Sequence, residues 1–212
     1  MIPSEPMTVL TDLLMAVLGG VWGARLVAAG RRRGERAVFS WGSAFLAAAV
    51  AALAGGVTHG YGPSLRPLAA FFVWKLTLGA IGLAALLLLA AIAYAYLPPA
   101  RRRILLTLAA AQLALYLAWI SVTDDFRAPL VDYGLALLVV LAFAAHGALT
   151  RRDAASGWIV AGTLVAFLAA AVQASGLTLH PQLNHNDLYH LIQLVSLYLL
   201  FRGGMRLRDR AA

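Results

Sequence analysis

Seven apolar runs divide this chain, and arginines crowd every second gap between them. A helix that crosses a bilayer needs about 20 mostly apolar residues. The runs at roughly 6–29, 38–59, 68–96, 104–122, 129–149, 158–177 and 187–204 meet or approach that length. The composition leaves little room for another solution. The chain is 62% hydrophobic and 12% charged, with mean hydropathy +0.81, whereas a soluble domain has about 45–50% apolar and about 25% charged residues. A core built from 212 residues cannot bury that excess, so lipid must cover it. The expected fold class is all-α: a polytopic seven-helix transmembrane bundle, in one domain spanning 1–212, without internal repeat, linker or soluble module.

The arginines give the bundle an orientation. Arg31, Arg32, Arg33 and Arg36 follow the first run, Arg101, Arg102 and Arg103 the third, Arg151 and Arg152 the fifth, and Arg202, Arg206, Arg208 and Arg210 the seventh. The opposite side carries only Arg66 and Arg127. By the positive-inside rule the N-terminus is outside and the C-terminus cytoplasmic. The net charge of +8 is thus a topology signal. The basic residues do not alternate with aromatics on a polar face, so nucleic acid is not expected as a partner. The first run is followed by arginines rather than a cleavage site, which reads as a retained helix. The chain has no cysteine, which excludes disulfides, thiolate nucleophiles and Cys-type zinc sites. Its single lysine beside sixteen arginines, with heavy Ala and Leu use, points to a GC-rich bacterial genome and an inner-membrane location.

The remaining polar residues collect on the outer side. Asn184-His185-Asn186-Asp187-Leu188-Tyr189-His190 opens the seventh run, and His59 closes the second. Asp12 lies about two turns into the first run and Lys75 about two turns into the third. Asp124, Asp125 and Asp132 flank the loop between the fourth and fifth. Ionisable groups at membrane depth are costly, and they are expected to face a bundle interior or cavity. Helical spacing places Asp187, His190 and Gln193 together, Thr8, Asp12, Gly19 and Gly23 together, and Gln112, Tyr116, Trp119 and Thr123 together. His185 and His190 are five residues apart, about 140° around a regular helix. They form a pair only if His185 folds back from a loop; otherwise Asp187 and His190 are the pair.

Structural roles compete for the same residues. Asn186 or Asp187 can cap the seventh helix. Asp12 and Lys75 can form an ion pair, with Asp132 as an alternative partner for Lys75. Asp124 and Asp125 read as solvated loop acids, and His146 and His180 as incidental. The functional reading treats His59, His185 and His190 as metal ligands. Zinc is the expected cofactor, with Asp187 or Asp12 as general base. A membrane lipid or another small molecule is then the substrate.

A histidine ending the second span, a histidine-bearing seventh span and an N-out seven-helix bundle together resemble the CREST superfamily. That group includes alkaline ceramidases and progestin/adiponectin-type receptors. The resemblance implies a three-histidine zinc site that hydrolyses a lipid amide, with His59 as first ligand and His190 as third. Gly55 stands where that pattern has serine, Asn186 where it has the first histidine of its H-x-x-x-H motif, and Lys75 is the only charge where it has an early acid in the third span. The stretch from His185 to Gln193 also resembles an uncharacterised bacterial membrane family. Two other functions compete with a metal-dependent hydrolase acting from the outer leaflet. One is a non-enzymatic sensor, carrier or accessory protein with an outward polar cavity, marked by a sealed polar network. The other is bis-histidine haem ligation by His59 and His190.

Overall fold

The computed structural model describes residues 3–150, 153–180 and 184–210. Arg151 and Arg152 of the charge pattern lie outside the described residues. The helices are α1 (Pro6–Arg33), α2 (Arg36–Tyr61), α3 (Pro67–Tyr96), α4 (Pro99–Val122), α5 (Arg127–Thr150), α6 (Ser156–Ser175) and α7 (His185–Gly204). Six of them, α1 to α6, are long and apolar enough to cross a membrane. The 20 residues of α7 fall outside that set, because Asn186, Asp187, His190 and Gln193 dilute its apolar content.

Prolines and glycines set most boundaries. Pro6, Pro67 and Pro99 begin α1, α3 and α4, where a missing amide hydrogen costs nothing and the fixed φ suits the first turn. Gly34 (φ 68°) and Gly176 (φ 66°) follow the ends of α1 and α6 in the left-handed region, which glycine enters without a Cβ penalty. The arginine clusters are helical rather than linkers. Arg31 to Arg33 form the last turn of α1, and Arg101 to Arg103 lie in the opening turns of α4. That is why α4 starts five residues before the apolar run it contains.

Six helices make a closed ring in the order α1, α2, α3, α5, α6, α7, with α7 returning to α1. Helix α4 stands outside it, against α3 and α5. The α1–α2 seam depends on glycine. A Cβ at Gly42 would lie 2.6 Å from the Val27 nitrogen, and one at Gly30 2.5 Å from the Phe39 nitrogen. Small residues let helices approach closely where dispersion and hydrogen bonding must replace the hydrophobic drive.

The arginine-rich end of the ring is solidly packed. Leu26, Val38, Trp41, Ile92, Ile159 and Leu200 are almost fully buried there. The Trp41 indole donates to the Leu200 carbonyl at 3.1 Å. The chain beyond α7 seals this end. Asp209 accepts from the Arg36 and Ala37 amides at 3.0 and 2.7 Å and so caps α2 from far away in sequence. Arg210 donates through Nη1 to the Tyr96 carbonyl and through its backbone to the Tyr94 carbonyl, at 2.8 and 2.9 Å, closing the end of α3. The opposite end of the ring is less full, and the cavity is there.

Candidate functional site

The start of α7 is organised by Asn184. Its Oδ1 accepts from the Asn186 and Asp187 amides at 2.8 and 3.3 Å, and Asp187 Oδ2 accepts in return from the Asn184 amide at 2.8 Å. This reciprocal capping box satisfies amides that have no partner within the helix. Asn184 is the N-cap, two or three residues before the positions expected for it. Asp187 belongs to the third helical position and reaches further: its Oδ1 accepts from the Thr8 hydroxyl at 2.9 Å, which ties α7 to α1. Both oxygens of the proposed base are therefore engaged.

One turn on, His190 faces the same helix. Its Nδ1 lies 2.9 Å from Thr11 Oγ1, and its Nε2 lies 3.4 Å from Asp12 Oδ1. Thr11 has one hydroxyl hydrogen and two acceptors in reach, the Thr8 carbonyl at 3.0 Å and His190 Nδ1. With that hydrogen on the carbonyl, His190 donates from Nδ1 and a second proton sits between Nε2 and Asp12, on the imidazole or on the carboxyl. With it on Nδ1, the ring hydrogen is on Nε2 and faces Asp12. In either arrangement one proton lies between Asp12 and His190. The other oxygen, Asp12 Oδ2, is buried without any hydrogen-bond partner.

His59 approaches from α2. Its Nδ1 is 3.5 Å from Glu5 Oε2, and Glu5 Oε2 is 3.1 Å from the Thr8 hydroxyl. The hydroxyl of Ser4 donates to the His59 carbonyl at 2.5 Å, which fastens the segment before α1 onto the end of α2. Two polar strings thus meet at Thr8. One runs His59, Glu5, Thr8, Asp187, Asn184; the other runs Asp12, His190, Thr11 to the Thr8 carbonyl. Gly55 and Gly56 give the carboxylate room. A Cβ at Gly56 would lie 3.0 Å from Asp12 Cβ, and one at Gly55 3.9 Å from Asp12 Oδ1.

These groups form one pole of a cavity of about 490 Å³. Asp12, His59, Asn186, His190, Gln193 and Tyr189 make its polar edge, and Ala52, Ile81, Leu137 and Phe167 are among its apolar walls. All six ring helices contribute lining residues and α4 contributes none. Among the described residues no lysine or arginine lines it. The size matches ordinary small-molecule sites, which run from about 300 to 1,000 Å³.

The structure unites Asp12, Asp187, His59 and His190 in this network, but sets His185 apart. His185 is the first residue of α7, so it lies on the helix itself, about 140° around from His190. Among the described residues no three His, Asp or Glu side chains are grouped so as to hold a metal. Both nitrogens of His190 have partners on α1.

Other expectations need correction. Lys75 does not pair with Asp12, because α2 stands between α1 and α3 in the ring. Lys75 instead faces the end of α4, donating to the Ile120 carbonyl and, at 3.0 Å, to that of Thr123, with Asp124 Oδ1 at 3.0 Å. Asp124 is thus an ion-pair partner, not only a solvated acid. Asp132 accepts from Gln112 at 2.9 Å across the α4–α5 seam, away from the cavity. Half-buried Asp125 is bound by Arg127, whose side-chain hydrogen bond holds the carboxyl below the usual aspartate range. In the α4 stripe Tyr116 is buried while Trp119 is exposed. Sequence reasoning missed Glu5 and Thr11 as participants. Thr8, Thr11 and Asp12, at i, i+3 and i+4 of one helix, are the signal that was available.

The chain matches the family of unknown function DUF6962 over residues 7–209, and it belongs to that family. No curated protein and no solved structure matches it.

Proposed function

We propose that this chain is a membrane-embedded binding protein, a carrier or sensor, whose ring cavity takes up a small amphiphile. The observation that supports this best is the cavity itself. It has apolar walls, a polar pole, and at that pole a buried carboxylate oxygen, Asp12 Oδ2, with no partner. A buried acceptor left unsatisfied costs about 1–3 kcal/mol, and a ligand with a donor at its head removes that cost. The surrounding network also favours binding over hydrolysis. His190 is engaged with Thr11 and Asp12 and Asp187 with Thr8 and Asn184, which ties these groups into the helix packing.

The proposal includes the topology. All seven helices cross the membrane, α7 with its polar first turns at the outer interface. The N-terminus is outside, the C-terminus is cytoplasmic, and the membrane is the bacterial inner membrane. The gathering of Arg31 to Arg33, Arg36, Arg101 to Arg103, Arg202, Arg206 and Arg208 at one end of the bundle supports that orientation.

Native mass spectrometry of the protein in nanodiscs, with added dodecanol as probe, tests the reading. A one-to-one adduct is expected. It should vanish in Gly134→Phe, because Gly134 lines the cavity and a Cβ there meets nothing within 4 Å. A folded variant that still binds would overturn the reading, as would wild-type protein that binds no alkyl probe.

A further inference from the structure

We infer that the cavity selects an amphiphile with a protonated amine head and that Asp12 Oδ2 is its counter-ion, an inference that rests on the binding reading above. Three independent features of the site lead there.

The first is charge. The acids around the pole are Glu5 and Asp12 on the α1 side and Asp187 on α7, and the bases are His59 on α2 and His190 on α7. The other polar groups at the edge, Tyr133 on α5, Gln173 on α6 and Tyr189 on α7, are neutral, as is Thr77 on α3. No guanidinium or ammonium lines the cavity among the described residues, so no permanent cation there compensates a carboxylate or phosphate head. A fatty acid or phospholipid head would meet acids of its own sign in a medium that screens poorly.

The second is hydrogen-bond bookkeeping. Glu5, Asp187 and Asp12 Oδ1 all have polar neighbours in the protein. Among the described residues, Asp12 Oδ2 is the buried oxygen at this pole that lacks one, and Asp12 is 4% exposed and lines the cavity. The open valence is thus that of an acceptor with negative character, and the complementary group is a charged N–H donor.

The third is space. Beside Asp12 the neighbouring helix carries Gly55 and Gly56 instead of side chains. A serine at position 55 would place its Cβ 4.0 Å from Oδ2, from where its hydroxyl can reach that oxygen. The chain leaves the place for that donor empty.

The test compares dodecylamine, dodecanol and dodecanoate, each titrated into the protein in uncharged nanodiscs and read by native mass spectrometry and tryptophan fluorescence. Dodecylamine is expected to bind about tenfold or more tighter than dodecanol, as charge-assisted hydrogen bonds exceed neutral ones, and dodecanoate weakest. Gly55→Ser should remove that preference by supplying Oδ2 with a donor. Asp12→Asn should do the same, and the serine variant carries the test if the asparagine variant does not fold. Dodecanoate or dodecanol binding as tightly as the amine would overturn the inference while leaving the cavity reading standing. An amine preference that persists in Gly55→Ser would overturn it as well. Absence of binding by all three probes would instead defeat the binding reading beneath it.

Discussion

His190 Nε2 stands 3.4 Å from Asp12 Oδ1 across the α1–α7 seam, while His190 Nδ1 is held at 2.9 Å by Thr11, the residue just before Asp12. Two adjacent positions of one helix thus grip both nitrogens of one imidazole. The ring helix that closes the bundle is fixed to the first helix at the cavity's polar pole.

That grip predicts an energetic coupling. His190→Ala leaves a buried carboxyl without its partner, and breaking a buried pair in this way costs about 3–5 kcal/mol. Thermal unfolding in detergent should show the loss. The double variant Asp12→Asn/His190→Gln should recover part of it, since no group then demands the shared proton. A double-mutant cycle with no coupling between the two positions would refute the pairing.

The cap of α7 is separable from that pair. Asn184→Ala should cost about 1 kcal/mol, the usual loss for an N-cap. Asp187→Ala should cost more, because it removes the return bond to Asn184 and the bond from Thr8 together. Amide exchange should rise over the first turn of α7 in both variants, and in α1 near Thr8 only for Asp187→Ala. Equal behaviour in α1 would mean that the Thr8 contact contributes nothing.

The sequence resolves the helices well and the neighbourhood of each poorly, and there is a physical reason for both. Apolar runs between arginines, with prolines and glycines at their ends, place all seven helices to within a few residues. Depth along each span also follows from sequence, which is why Asp12, His59, Asp187 and His190 emerge at a common level. Which helices touch is a different matter, because lipid-facing and ring-facing stripes are both leucine and alanine here. Lys75 is the clear instance: its depth matches Asp12, but the ring order puts α2 between them. The tail is another. Asp209 and Arg210 read as charges after a span, and nothing local shows that they cap α2 and α3 from the far end of the chain.

Metal removal provides a further check. With both His190 nitrogens committed to α1, dialysis against EDTA should leave the melting temperature and dodecylamine affinity unchanged. Zinc added back should shift neither. A zinc-dependent rise in stability that disappears in His59→Ala and His190→Ala would restore the three-histidine reading drawn from the CREST resemblance.

The packing of the outer helix gives a prediction away from the cavity. Tyr116 donates to the Leu78 carbonyl at 2.8 Å, and its ring lies over Gly82, where a Cβ would come within 2.4 Å of Cε1. Gly82→Ala therefore has to displace the ring, at a cost of about 1–3 kcal/mol despite alanine's better helix propensity. Because α4 lines no part of the cavity, amine affinity should be preserved. Loss of binding would show that α4 supports the site after all.

The shared proton turns amine recognition into an exchange. In the empty site one proton lies between Asp12 and His190. An ammonium head brought to Oδ2 adds a positive charge beside it, with Glu5, His59 and Asp187 as the nearest other titratable groups. Two cations at one carboxylate repel each other, so the bound state favours release of one proton to bulk water, leaving His190 neutral with its ring hydrogen on Nε2, the Thr11 hydroxyl turned to Nδ1, and the Asp12 carboxylate paired with the ammonium. Calorimetry of dodecylamine binding in buffers of different ionisation heat should therefore report about one proton released per ligand. Amine affinity should strengthen as pH rises, up to the point where the free amine itself loses its charge. Dodecanol should release none. His190→Gln should abolish the release while keeping the Oδ2 contact. Amine binding without proton release in the wild-type protein would contradict the one-proton pair, and release that persists in His190→Gln would assign the proton elsewhere.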